Sequence, residues 1–209
     1  MTTSPTLSEF KETVRQAFGY LEREFAFHEV VPPASLLEEN PFVVWFVNAT
    51  TLVQVEGVSW GFGAQVLLGP AAGGHQWHAN VPLWAIIKNR TPDLYELSAK
   101  APGQLGAVRH YAHALREAAS DVLRGDFRVF VSARAAVEAE ATQQRLREHE
   151  ETRDRTKRAA VSAAADALRR NDYGSVVKLL TPHIKRLTPG ERARLDYARG
   201  RLGRDGGAV

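Results

Sequence analysis

The sequence predicts an α+β protein: a small antiparallel β-meander packed against two amphipathic helices, followed by a long connecting helix and an all-α helical hairpin module. Three observations carry this. Apolar residues recur at three- and four-residue steps on both sides of a block of β-branched and aromatic residues that is cut by turn signals. The charge balance changes near residue 131, since residues 1–130 hold 10 Lys+Arg against 13 Asp+Glu whereas residues 131–209 hold 17 against 11. The later part is also rich in alanine and arginine and poor in aromatics. The reading is an α+β domain over residues 1–132, a charged connecting helix over 133–158 and a helical module over 159–204.

Taken in order, Ser4-Pro5 fits an N-cap and first helical residue, and Leu7, Phe10, Val14, Ala17, Phe18 and Leu21 give one apolar stripe. Pro32-Pro33 closes the region behind it, and a helix-like turn over Leu36 to Glu39 leads into Pro41. The runs FVVWFVN from Phe42, TLVQVEGVSW from Thr51 and AQVLLG from Ala64 are separated by Asn48-Ala49-Thr50 and Gly61-Phe62-Gly63. They predict a three-stranded antiparallel meander with one face on the first helix, because so small a sheet is not stable alone. GPAAGG from Gly69 reads as a loop, and LWAII from Leu83 as a short buried helix or turn that ends before Pro92. Leu105, Val108, Ala112, Leu115, Ala119 and Val122 mark the clearest helix, with Arg109, His110, His113, Arg116 and Glu117 off its stripe and Gly125 as its C-terminal cap. FRVFV from Phe127 predicts one more strand.

From Ala133 to Lys157 the residues favour helix, yet Leu146 is the one aliphatic between Thr142 and Arg158. Arg147/Glu151, Glu151/Arg155 and Asp154/Arg158 stand at i,i+4, each stabilising a helix by about 0.2–0.5 kcal/mol. A solvated connecting helix follows. Beyond it, helices are expected over Ala159 to Arg170, Tyr173 to about Arg186 and Pro189 to Leu202, with Pro182 kinking or shortening the second. Thr188-Pro189-Gly190-Glu191 matches a capping box, and Gly203 a stop.

The segment ADALRRNDYGSVVKLLTPHIKRLTPGERARLDYARGRLG resembles a tetratricopeptide-type helical hairpin: a small-residue helix, an Asn-Asp-Tyr turn, an aliphatic helix and a Pro-led third helix. It covers one repeat and part of another, and the aromatic signature positions of the first helix are missing. The resemblance implies a peptide- or protein-binding module, or a helical cap on the first unit. The N-terminal order, a helix ending FAF, the meander, the LWAII turn and a helix ending DVLRGDF, looks like small bacterial α+β proteins, some of them immunity proteins of toxin or conflict systems. Its motifs are structural and transfer no functional residues.

Absence of cysteine removes disulfides, thiolate nucleophiles and sulfur-ligated zinc together. The longest apolar run, Phe42 to Val47, is far short of a membrane span, and the start lacks the build of a signal peptide. A cytoplasmic location and no membrane partner are expected. Gly57-Val58-Ser59-Trp60-Gly61 fits G-x-S-x-G, but a nucleophile elbow needs a helix after the turn, and AQVLLG reads as a strand. His75/His78 and His110/His113 form two i,i+3 pairs, without the glutamate of H-E-x-x-H. Asp93, Glu96 and Lys100 have the wrong spacing for a nuclease carboxylate pair. The sequence therefore points to a non-enzymatic protein–protein interaction protein of the immunity or conflict-system kind, with no catalytic residue, metal ligand or cofactor. Its partner-binding candidates are Trp60 and Phe62 at a hairpin tip and Trp77 in a loop, where aromatics anchor contacts. Two other readings stand beside it. One is nucleic-acid association through Arg192, Arg194, Arg199 and Arg201, which recur at seven residues in two pairs. The other is a metal-dependent enzyme built on the four histidines.

Overall fold

Residues 5–58, 63–73, 80–99 and 101–205 are described by a computed structural model. The first helix, α1 (Leu7–Phe18), starts later than Ser4-Pro5 would place it because Thr6 supplies the cap. Its hydroxyl accepts from the Glu9 amide at 3.2 Å while the Glu9 carboxylate accepts from the Thr6 amide at 2.7 Å, a reciprocal capping box. Gly19 separates α1 from α2 (Tyr20–Phe25), which ends on Ala26 in the left-handed region at φ 54°. There follow β1 (His28–Val30), α3 (Ala34–Glu39), β2 (Val43–Val47), β3 (Thr51–Val58), β4 (Gly63–Pro70) and β5 (Val81–Pro82). The strands pair antiparallel in the order β1-β2-β3-β4-β5. The three predicted strands are its centre, and two short edge strands extend it.

Register divides the sheet into two faces. Val44, Phe46, Val53, Val55, Val66 and Leu68 share a core with Phe10, Val14 and Phe18 of α1 and with Ile86 and Leu115 of α4 (Leu83–Arg90) and α6 (Gly103–Ala118). Each such fully buried side chain contributes about 1.5–3 kcal/mol. Between α4 and α6 lies α5 (Pro92–Ala99). The second face carries Val43, Trp45, Leu52, Gln54, Glu56, Gln65 and Leu67, with Leu36 of α3 packed on Val43, Trp45 and Leu52.

Asn48 pins the first hairpin to that core: its Oδ1 accepts from the Thr50 and Thr51 amides, and its Nδ2 donates to the Phe25 and Leu123 carbonyls. Gly125 does not cap α6, which ends at Ala118. It closes the 3-10 turn Val122–Arg124 instead, at φ 89°, where a Cβ would stand 2.9 Å from Thr50.

The predicted FRVFV strand is absent. The Phe130 amide donates to the Phe127 carbonyl at 2.9 Å, and the two rings pack 5.0 Å apart on the core while Val131 faces solvent. Apolar residues three apart serve a turn and helix start here, not a strand. Phe130 opens α7 (Phe130–Arg169), one 40-residue helix with no break at residue 158.

The chain divides into two compact units, Met1–Ala139 and Glu140–Val209. In the second, Ala164 and Ala167 pack with Val176, Leu180, Leu187, Leu195 and Ala198. Asn171 turns the chain at φ 57°, and Asp172 caps α8 (Tyr173–Leu180) by accepting from the Ser175 amide at 3.0 Å. Pro182 ends the α-helical ladder, and Thr181–Arg186 continues as 3-10 helix. Thr188 and Glu191 form the expected capping box at the start of α9 (Pro189–Asp205), which runs past Gly203. The charged stretch of α7 is less solvated than its composition suggests. Arg186 pairs with Glu150 at 2.6 Å and Asp154 at 2.8 Å, and Lys157 with Glu191 at 2.9 Å. Among the described residues no helix is long and apolar enough to cross a membrane.

Candidate functional site

Among the described residues, each unit carries a concave surface. In the helical unit, α7 and α8 with its 3-10 extension border an open groove. Ala159, Ala160 and Ala163 stand at i, i+1 and i+4 on α7 and hold that wall low, while Leu179 and Pro182 form the other. This part measures about 650 Å³ and runs into a second of about 370 Å³ that shares Thr156, Pro182 and His183 with it. The rim is basic: Arg153, Lys178 and Lys185 line it, and among the described residues no carboxylate does. Arg186 lines it too, but its charge is balanced by Glu150 and Asp154. Arg153, Lys178 and Lys185 are exposed and form no ion pair among the described residues.

The other surface lies on the second face of the sheet. Gln54 and Glu56 are both 3% exposed. Glu56 Oε1 accepts from Gln54 Nε2, and its Oε2 from Gln65 Nε2 at 2.6 Å. Among the described residues no cationic side chain pairs with this carboxylate. Gln54 stands opposite Trp45 in register, so both look toward α3. Between α3 and the strands is a cleft of about 160 Å³ lined by Pro33, Ser35, Leu36, Glu39, Trp45, Gln54 and Asn80. Asn80 rests on the bare backbone of Gly69, where any Cβ would overlap its Oδ1, and that oxygen is buried with no hydrogen-bond donor among the described residues.

Trp60, Phe62 and Trp77 lie outside the described residues, as do His75, His78 and Lys100. The G-x-S-x-G motif begins in β3, and the next described element is the antiparallel strand β4, not a helix. His110 Nε2 is bonded to the Leu94 carbonyl at 2.9 Å, and His113 is exposed. Among the described residues no three His, Cys, Asp or Glu side chains cluster to hold a metal.

All four arginines of α9 are exposed, and three of them make side-chain hydrogen bonds within the helical unit. Arg192 donates to the Ile184 carbonyl at 3.1 Å and Arg199 to the Thr181 hydroxyl at 3.5 Å, both along the 3-10 segment. Arg201 Nε donates to the Tyr197 hydroxyl at 3.0 Å, and its guanidinium lies 5.3 Å from that ring. The Arg201 bond, with a further one from Tyr173, holds the Tyr197 hydroxyl below the usual phenol range. Arg194 alone is exposed without a bonded partner among the described residues.

The groove and the cleft escape a reading by sequence for different reasons. The alanines of α7 signal close packing, but they do not say which get covered: Ala164 and Ala167 are buried, while Ala159 and Ala163 stay open. On the sheet, Gln54, Glu56 and Gln65 alternate with apolar residues as a solvated face would. In comparisons with known proteins, no family model, curated protein or solved structure matches the chain.

Proposed function

We propose that this is a non-enzymatic protein-binding protein whose helical unit captures an acidic amphipathic segment of a partner. The observation that carries this reading is the α7–α8 groove, an alanine, leucine and proline floor under a rim of Arg153, Lys178 and Lys185 that no carboxylate balances. Apolar floors of this kind take the apolar face of a helix, and the charged rim selects the sign of its edges. Such binding works by occlusion, the mode open to an immunity protein of a bacterial conflict system. A toxin gene beside this one would support that narrower role. The lack of cysteine accords with a reducing, cytoplasmic setting.

The test uses the full chain and two fluorescein-labelled amphipathic helical peptides, one with leucine and glutamate faces and one with lysine in place of glutamate. The acidic peptide binds and the basic one does not. Lys178→Glu with Lys185→Glu weakens binding about 10-fold, equivalent to about 1.4 kcal/mol. Ala160→Trp fills the groove and abolishes binding at unchanged helicity. Equal binding of both peptides, or undiminished binding to these variants, overturns the proposal. Nucleic-acid association is the second reading, favoured only by the exposed Arg194 beside Tyr197 on α9. It requires a gel shift at low salt that weakens steeply as salt rises and is lost in Arg194→Glu.

A further inference from the structure

We propose that the cleft between α3 and the second face of the sheet is a binding site for a guanidinium group. This inference is independent of the groove in the helical unit. Its starting point is Glu56, a carboxylate that can only accept hydrogen bonds. Both its oxygens are met by glutamine Nε2 atoms, from Gln54 and Gln65. That fixes the orientation of the Gln54 side chain, because the end turned to Glu56 must be the nitrogen. Its carbonyl oxygen is the end left over, on a residue that lines the cleft.

The rest of the lining adds further acceptors beside one ring donor, the Trp45 indole N–H. Asn80 brings a buried Oδ1 that no donor meets, and Glu39 brings a carboxylate from the exposed side of α3. Ser35 adds a hydroxyl that can accept as well as donate. Among the described residues no lysine, arginine or histidine lines it. A cavity so supplied with acceptors and so short of positive charge repels anions and suits a cation that brings several N–H groups at once. Glu56 lies buried behind Gln54, and among the described residues no cationic side chain pairs with it.

Shape narrows the cation further. Pro33, Leu36 and Trp45 give the cleft apolar and aromatic walls, which match the weakly hydrated flat faces of a guanidinium better than a compact, strongly hydrated ammonium. Glu39 at the mouth and the amide oxygens within give the planar N–H fork acceptors along its edge. The cleft, about 160 Å³, holds a guanidinium head with part of its methylene stem and excludes a folded chain. The ligand is therefore free arginine or an arginine side chain offered by another protein.

The experiment follows the Trp45 indole N–H cross-peak in ¹H–¹⁵N spectra of the full chain, assigned by its loss in Trp45→Phe. Three probes are titrated: L-arginine, N-acetyl-arginine amide and its neutral isostere N-acetyl-citrulline amide. The guanidinium probes give a saturable shift, and the citrulline probe binds about 10-fold more weakly or not at all. Tighter binding of free arginine identifies a small-molecule site, and equal or tighter binding of the capped form identifies a protein side chain. Glu39→Lys, on the exposed side of α3, abolishes the shift at an unchanged melting temperature, a readout that does not disturb the core. Absence of a saturable shift, equal response to citrulline, or an undiminished response in Glu39→Lys overturns the site.

Discussion

Gly57 sits beside Glu56 in the central strand with no room above it. A Cβ there would overlap the Gln104 amide and lie 2.8 Å from Phe42 Cβ. Gln104 is itself 2% exposed and cannot swing into solvent without opening the core. Gly57→Ala therefore destabilises the protein by about 1–3 kcal/mol, the usual cost of overpacking a closed interior. Gly190, in the first turn of α9, meets nothing within 4 Å. Gly190→Ala stabilises by up to about 1 kcal/mol, because alanine loses less backbone freedom in a helix. Urea denaturation of the two variants checks both signs. A Gly57→Ala variant as stable as the parent would contradict the crowding above Gly57, and a destabilised Gly190→Ala the open space above Gly190. Neither outcome is legible in the sequence, where Gly57 belongs to a G-x-S-x-G lure and Gly190 to a capping box.

At the scale of elements, helix starts and ion pairs share one electrostatic pattern. Glu9, Asp172 and Glu191 are each held below the ordinary carboxylate range, chiefly by hydrogen bonds at their helix starts. Arg15 does the same to Glu29 and Arg90 to Asp121, while Arg128 brings Asp126 down to about 2. A carboxyl whose folded pKa is depressed adds stability that is fully present above its unfolded value and disappears as pH falls through the folded one. The melting temperature is thus expected to hold from neutral pH to about 5 and to fall progressively between about 4.5 and 2. A melting series across that range checks it, and a rise in stability on acidification would contradict these assignments. The Thr188–Glu191 capping box is the best-read of these features, since it needs only four consecutive residues to be recognised, whereas Ser4-Pro5 draws the cap reading away from the Thr6–Glu9 box of α1. Short edge strands are the worst. β1 and β5 have three and two residues, and their pairing with β2 and β4 is decided by neighbours far away in sequence. FRVFV fails for a related reason: β propensity is a weak preference, and here the Phe127–Phe130 ring contact and the following helix prevail.

For the whole molecule the decisive question is whether the two units melt together. The core of the first unit draws on α7 as far as Ala133, with Val137 packed against it, and that of the second begins with Val161. Between them α7 carries Leu146, 65% exposed. Each unit thus holds its own hydrophobic centre, and among the described residues that of the smaller rests on seven buried side chains, four of them leucine or valine. Calorimetry should resolve two transitions, with the helical unit melting first. Leu146→Pro separates the possibilities, because proline inside a helix costs about 3 kcal/mol or more where it breaks the ladder. Far-UV circular dichroism loses helix signal in this variant while the higher transition keeps its temperature, since the sheet core has no member near residue 146. A single transition, or equal displacement of both, would show instead that α7 transmits stability along its full length.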